Sequence, residues 1–290
     1  MRPAPVRTGS LTEATEGGRL ACAVTTSEQR RWAGMLAAWA LPEELIARAP
    51  EHPYRFDVAR FARFADEARP GCDPSQLRAR EALPEGGVLL DIGCGAGAAS
   101  LPLIPPATHV IGVDPQDDML EAFRERIEAA GAQATTVLGG WPEVADQVGV
   151  ADVAVSRHVL YNIPDLAEFA TALTEQIRRR VVIELSQRHP LDWTRPYWRA
   201  LHGFDRPDGP TSTDAAAALA EAGVAVEVEH WVSRHHLADE DAEVQLASLR
   251  RRLLVGPERD DELRTLLAEY PPPAERPVTT LWWNTTSTWR

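Results

Sequence analysis

The chain has 290 residues, 44% of them hydrophobic, which is enough apolar material for one large globular domain or a domain with an appendage. Its 43 acidic against 30 basic residues give a formal charge of −13, which argues against a nucleic-acid partner, because a phosphate backbone is bound by a basic face. Cys22, Cys72 and Cys94 are odd in number and widely spaced, so they read as reduced thiols of a cytoplasmic protein and not as a disulfide framework. No apolar run reaches the roughly twenty residues that span a bilayer.

In chain order, residues 1–26 lack the apolar core of a secretory signal and are expected to be disordered. From 27 to 84 the pattern is helical. Trp32, Met35, Leu36 and Trp39 recur at helical spacing, and Pro42 opens a short helix through Leu45 and Ile46. Phe56, Phe61 and Phe64 occupy a further helix before the loop Arg69-Pro70-Gly71. This stretch is read as a helical cap over a cofactor mouth. From residue 85 strands and helices alternate, with strands near 88–92, 109–114, 134–138, 151–156 and 180–185. Helices are expected at 97–103, 117–130, 142–148 and 165–178. Such alternation implies a doubly wound parallel sheet with right-handed crossovers and ligands at the C-terminal ends of the strands. A helix from Ser212 to Gly223 follows, with Thr213 or Ser212 as its N-cap, and then a strand at 224–232. Two helices, 238–254 and 259–270, precede the last strand at 278–283. About 45 residues separate the last two strands, more than an ordinary connection. That insertion (236–274), together with 188–211, is expected to build a substrate chamber.

The segment Val88–Ser100 reads VLLDIGCGAGAAS and ends in a helix expectation, and HVIGVDP follows, with Asp114 closing its strand. Gly93, Gly95 and Gly97 let the backbone turn sharply and bring a ligand close without Cβ clashes. Asp114 suits the two hydroxyls of a ribose. Gly93, Gly95 and Ala98 also satisfy the relaxed dinucleotide fingerprint. Asp91 decides against it: a carboxylate two residues before the first glycine crowds a pyrophosphate but suits an ammonium.

With these residues in place, the stretch resembles the class I (Rossmann-like) S-adenosylmethionine-dependent methyltransferases, whose first motif is acid-x-Gly-x-Gly-x-Gly. The resemblance covers 88–232 and the final strand. It implies an α/β fold with a doubly wound, seven-stranded, mostly parallel sheet whose last two strands form a reversed pair. Here that fold would carry an N-terminal helical cap and a helical insertion before the last strand. It also implies S-adenosyl-L-methionine as cofactor. By position, Asp91, Gly93, Cys94, Gly95 and Gly97 would hold the methionine end, with the Cys94 side chain a packing residue in the loop. Asp114 would hold the ribose, and Pro115, Gln116 and Met119 would lie beside the adenosine. Many relatives place an acid after the third strand; this chain has Gly139-Gly140-Trp141, so Gly140 backbone contacts are expected, with Trp141 either packing on the adenine or starting a helix opened by Pro142. The fourth strand ends SRHVLYNIPD, which puts Ser156, Arg157 and His158 on the active-site floor. His158 is a candidate general base for a hydroxyl, with His189 and His202 as rivals, and Tyr161 is expected to border the methyl-transfer site.

Tyr54, Trp198 and His202 are candidate substrate residues, on the ground that aromatic walls are common in small-molecule sites. The histidines 230, 235 and 236 do not match zinc-ligand spacing, so no metal is expected. The leading expectation is therefore methyl transfer to an oxygen or nitrogen of a small molecule, in keeping with secondary metabolism. The alternatives are a protein or RNA methyltransferase, a non-catalytic module that binds the cofactor, and a nicotinamide oxidoreductase. The acceptor is not legible, nor is the oligomeric state, for which a homodimer is one option.

Overall fold

The apolar run of β1 (Gly87–Ile92) lies at the centre of a seven-stranded sheet, covered on both faces. A computed structural model of the chain describes residues 27–50, 53, 55–71, 73–234 and 240–285. β2 (Ala107–Asp114) and β3 (Gln133–Leu138) lie on one side of β1, and β4 (Ala151–Arg157) and β5 (Ile177–Ser186) on the other. All these neighbours pair in parallel, as runs of buried Val, Ile and Leu require. β6 (Glu227–Arg234) and β7 (Glu275–Asn284) complete the order β3-β2-β1-β4-β5-β7-β6, with β7 antiparallel to both of its neighbours. The chain winds outward from β1 to β3 and then returns to β4. The strand order reverses between β1 and β4, and the crevice at their C-terminal ends is where a ligand fits.

The helices are α1 (Ser27–Ala38), α2 (Glu43–Arg48), α3 (Val58–Glu67), α4 (Pro74–Ala82) and α5 (Asp117–Ala129). They continue as α6 (Leu166–Gln176), α7 (Arg195–His202), α8 (Ser212–Glu221), α9 (Ala242–Leu253) and α10 (Asp260–Glu269). α4 and α5 cover one face of the sheet through Ala79, Leu120, Phe123 and Ile127. α1, α6 and α8 cover the other through Trp32, Phe169, Leu173 and Leu219. Each fully buried large apolar side chain contributes roughly 1.5–3 kcal/mol, so these two layers supply most of the stability. A third, smaller core joins α7, α9 and α10 through Trp198, Leu249, Leu253 and Leu263, with Leu45 and Ile46 of α2 packed on it.

Several elements differ from the expectation. Residues 97–103 form turns and a short 3-10 segment, Leu101–Leu103, because Pro102, Pro105 and Pro106 remove donors and disfavour helical backbone before them. Residues 142–148 are likewise turns with a 3-10 segment at Ala145–Gln147. The N-cap of α8 is Thr211, whose side chain and that of Asp214 form a reciprocal capping box. Ser212 is unavailable as a cap, since its hydroxyl lies 2.8 Å from that of Thr279, buried against the sheet. The four helices before β1 do not form one cap: α1 packs on α8, α4 lies under the sheet against β4 and β5, and only α3 sits beside the glycine turn on α5. Among the described residues no helix is long and apolar enough to cross a membrane.

Candidate active site

β1 leaves the sheet through Gly93, Gly95 and Gly97, all at positive φ (66°, 52° and 97°). The amides of Gly93 and Cys94 both donate to the Val113 carbonyl (2.8 and 3.0 Å), so the turn is anchored to the end of β2. A Cβ on Gly93 would stand 2.3 Å from Val159 Cγ2, and no rotation of that branched side chain comes without cost. The Cys94 side chain points down into the core and burial pushes its thiol pKa up, which makes it a packing residue.

Two acids flank this turn. Asp91 is 1% exposed; one carboxylate oxygen accepts from the Ser100 hydroxyl (2.5 Å) and the other, Oδ1, has no hydrogen-bond partner. Burial raises its pKa to about 7, assisted by the nearby Asp114 and opposed by the Ser100 hydrogen bond. Asp114 ends β2 and accepts from the amides of Gly95 and Gln116 (both 3.0 Å). Burial raises its pKa as well, against those two hydrogen bonds.

The crevice beside Asp114 is bordered by Phe56 and α3, part of the stretch read as a cap over the cofactor mouth. The Gln116 side chain clasps the backbone of Phe56 through two hydrogen bonds (3.1 and 3.0 Å), and Phe61 of α3 lies against Gly95. Pro115 is exposed beside this clasp. Met119 is corrected: it is 2% exposed and packs between α5 and α3 with Ala65 and Ala122, so it supports the turn from inside. Trp141 is corrected too. It is 3% exposed in the main core and its indole N–H donates to the Phe169 carbonyl (3.3 Å), so its ring is turned away from the crevice. Gly140 precedes it with Glu143 close by. Trp141→Phe is expected to cost about 1–2 kcal/mol of stability from lost packing and one buried hydrogen bond. Ligand affinity should not change, which urea unfolding with a parallel titration would check.

At the end of β4, Ser156 donates to the Ile92 carbonyl (3.1 Å) and so ties the two central strands together. Arg157 pairs with Glu184 of β5 (2.7 Å); burial opposes its charge, but Glu184 and Asp73 outweigh that and raise its pKa. His158 has φ 61°, a costly conformation for a side-chain-bearing residue and one that clusters at functional sites. Its Nε2 lies 2.7 Å from Nη2 of Arg276, and its amide donates to the Glu184 carbonyl (2.7 Å). A guanidinium only donates, so Nε2 is an acceptor already in use. A base role would break that contact, and the geometry gives His158 a positioning role. Tyr161 is corrected: its hydroxyl donates to the Ser186 carbonyl (2.7 Å), and burial raises its pKa far beyond the ordinary range. Its hydroxyl proton is committed to that carbonyl, which leaves Tyr161 as a packing residue.

Beyond β5, the His189 ring stacks on Trp39 (3.8 Å between centroids) and lies edge-on to Tyr161 (5.3 Å). Burial, then Arg206 and Arg252, push its pKa down to about 3. Its Nδ1 accepts from the Leu191 amide (3.2 Å), so the proton resides on Nε2 and His189 is a neutral donor. Trp198 and His202 are corrected from substrate contacts to parts of the third core. Trp198 is 1% exposed, and His202 Nε2 bonds the Leu253 carbonyl (2.7 Å). Tyr54, like His235 and His236, lies outside the described residues. No group of three or more His, Cys, Asp or Glu among the described residues is arranged to hold a metal. Glu184 and Arg276 were missed; a single acid inside the apolar strand VVIELS was the available signal, because a buried carboxylate requires a partner.

Residues 89–180 match a methyltransferase domain. The chain is 27% identical, over 57% of its length and 63% of the relative's, to a ubiquinone biosynthesis O-methyltransferase of Rhizobium etli. It is 31% identical to a protein of the same name from Paramagnetospirillum magneticum, over 52% of this chain and 58% of that one. It thus spans less than two thirds of the length of the curated relatives it matches. Two solved S-adenosylmethionine-dependent methyltransferases, both in complex with S-adenosylhomocysteine, share the fold. That of Thiobacillus denitrificans has a TM-score of 0.50 at 18% identity, covering 79% of this chain and 99% of its own. That of Geobacter sulfurreducens has a TM-score of 0.50 at 17% identity, covering 78% and 97%. The matched segment begins at the strand that feeds the glycine turn and ends in β5, across the point where the strand order reverses, so residues 89–180 form a methyltransferase domain within a chain that has the fold of these S-adenosylmethionine-dependent enzymes.

Proposed function

We propose that the chain is an S-adenosylmethionine-dependent enzyme that methylates an oxygen of a small molecule. The observation that carries the reading is Asp91 Oδ1, a buried carboxylate oxygen with no hydrogen-bond partner, set beside a glycine turn that one added Cβ would obstruct. A buried acid in that state calls for a cationic ligand group, and the ammonium of the cofactor is one. Asp91 and the backbone of residues 93–97 would hold the methionine end, and Asp114 the ribose. When bound, S-adenosylmethionine supplies an electrophilic methyl on a sulfonium whose thioether leaves without protonation. The protein's task is then to exclude water and align the acceptor, which is a proximity effect. Oxygen is favoured over nitrogen by the named activity of the relatives.

Calorimetric titration with S-adenosylhomocysteine, with NADH in parallel, tests this reading. Binding of the former alone is expected; binding of NADH alone would overturn the cofactor. Asp114→Ala should weaken S-adenosylhomocysteine by about 1–3 kcal/mol, the scale of lost charge-assisted hydrogen bonds. Unchanged affinity would remove the ribose assignment.

A further inference from the structure

One cation beside the crevice has neither a hydrogen bond nor an ion pair among the described residues. Arg252, in the last turn of α9, makes no hydrogen bond or ion pair with any described residue; its guanidinium rests 5.9 Å from the centroid of the Phe56 ring. Arg251 beside it likewise makes no side-chain hydrogen bond or ion pair with a described residue, while its other charged neighbours are committed. Arg60 pairs with Glu240 (2.8 Å) and donates to the Ser248 hydroxyl (2.8 Å), and Glu240 is further shared with Arg63 (2.7 Å). Arg250 pairs with Asp260 (2.8 Å). Arg206 donates to the carbonyls of Trp39 and Ala40 and lies over the rings of Trp39 and Trp198.

The place of Arg252 is as telling as its lack of a partner. Phe56 is the residue clasped by Gln116, two positions after the ribose acid Asp114. On the other side, the charge of Arg252 reaches His189, whose ring meets Trp39 and Tyr161 just beyond β5. Arg252 therefore stands at the Phe56 rim of the crevice, and its charge is felt at His189. Burial, then repulsion from Arg60 and Arg251, lowers its pKa to about 10 against the attraction of Glu240, which leaves it charged at neutral pH. Removing a charge from water without a partner is costly, so a protein that keeps one has a use for it when a ligand arrives.

We propose that Arg252 receives a carboxylate of the methyl acceptor, so that the substrate class is a hydroxylated carboxylic acid with an aromatic or apolar body. This rests on the methyltransferase reading above. The planar fork of a guanidinium matches a carboxylate with two parallel hydrogen bonds. The aromatic walls supply the apolar remainder of the contact.

The test uses the full chain and three probe acids (4-hydroxybenzoate, 4-hydroxycinnamate and 4-hydroxyphenylacetate), each against its own neutral amide. Calorimetry is run with and without saturating S-adenosylhomocysteine, whose own binding tests the methyltransferase reading separately. At least one acid is expected to bind about tenfold or more tightly than its amide, the scale of a charge-assisted pair. Arg252→Met should erase that preference and leave S-adenosylhomocysteine affinity unchanged. The same variant, without ligand, should melt higher by about 2–4 °C, because an uncompensated charge has been removed. The proposal is overturned if all three acids bind no better than their amides, or if Arg252→Met keeps the preference. A lower melting point in Arg252→Met would also overturn it, by making the arginine a structural cation.

Discussion

Gly93→Ala is expected to abolish binding of S-adenosylhomocysteine and to lower stability by about 2–4 kcal/mol. Two independent costs combine. The residue is at φ 66°, where a side chain costs about 1–2 kcal/mol. Its new Cβ would also stand 2.3 Å from Val159 Cγ2, and overpacking of that kind costs about 1–3 kcal/mol. The two can be separated. Adding Val159→Ala relieves the contact and leaves the dihedral cost, so the double variant should recover part of the stability in a double-mutant cycle. Gly149 supplies the control: a Cβ there meets nothing within 4 Å, and Gly149→Ala should behave like the parent protein in urea unfolding and in titration. If Gly93→Ala were as mild as Gly149→Ala, the tight turn against Val159 would not be the cradle described here.

The second large effect is a pH dependence centred on Asp91. Its folded pKa of about 7 lies above the unfolded value of about 3.9. The folded chain therefore holds this proton more tightly. The resulting stability, up to about 4 kcal/mol, is fully present below the unfolded pKa and is lost as pH rises through about 7. An ammonium ligand inverts the balance, since it favours the ionised carboxylate. Affinity for S-adenosylhomocysteine should rise between pH 6 and 8 and level off above, with a proton released on binding at the lower end. Titrations in two buffers of different ionisation enthalpy count that proton directly. Asp91→Asn should flatten the profile, weaken binding by about 1.5–3 kcal/mol, and make the unliganded chain more stable above pH 7. A wild-type affinity that does not change over this range would separate Asp91 from the ammonium.

The cluster at the end of β4 works differently. Arg157, His158, Glu184 and Arg276 come from β4, its outgoing turn, β5 and β7; Arg157 pairs with Glu184, and Arg276 donates to His158. Arg276 is pushed down to about 10 by burial and by Arg157. The group braces the floor on which an acceptor would rest, and it leaves His158 fixed in a conformation that few side chains adopt. Alignment of the acceptor against the methyl is a matter of position, so rigidity is what this chemistry asks of such residues.

Much of this architecture was legible before any coordinates. The strands β1 to β5, the turn at Gly93, Gly95 and Gly97, and the pairing of Asp91 with Asp114 all follow from neighbours in the chain. Apolar runs of strand length, glycines where φ must turn positive, and an acid in the last two positions of β1 and of β2 are local properties. The 3-10 turns at 101–103 and 145–147 were missed because prolines outweighed the expected alternation. Trp141 stayed open between the crevice and the core because an indole can face either way from a turn, and only the position of α6 gave it the Phe169 carbonyl to bond. The fate of each charged group was likewise invisible. Whether His158 is free to act as a base depends on Arg276, 118 residues away in sequence. Whether Arg252 has a partner depends on Glu240 having already been taken by Arg60 and Arg63. Backbone conformation is set within a few residues, so the sequence alone determined the fold and the cofactor turn. Burial and pairing of charge depend on which distant elements the packing brings together, and only the tertiary structure decided which side chains are committed and which remain available to a ligand.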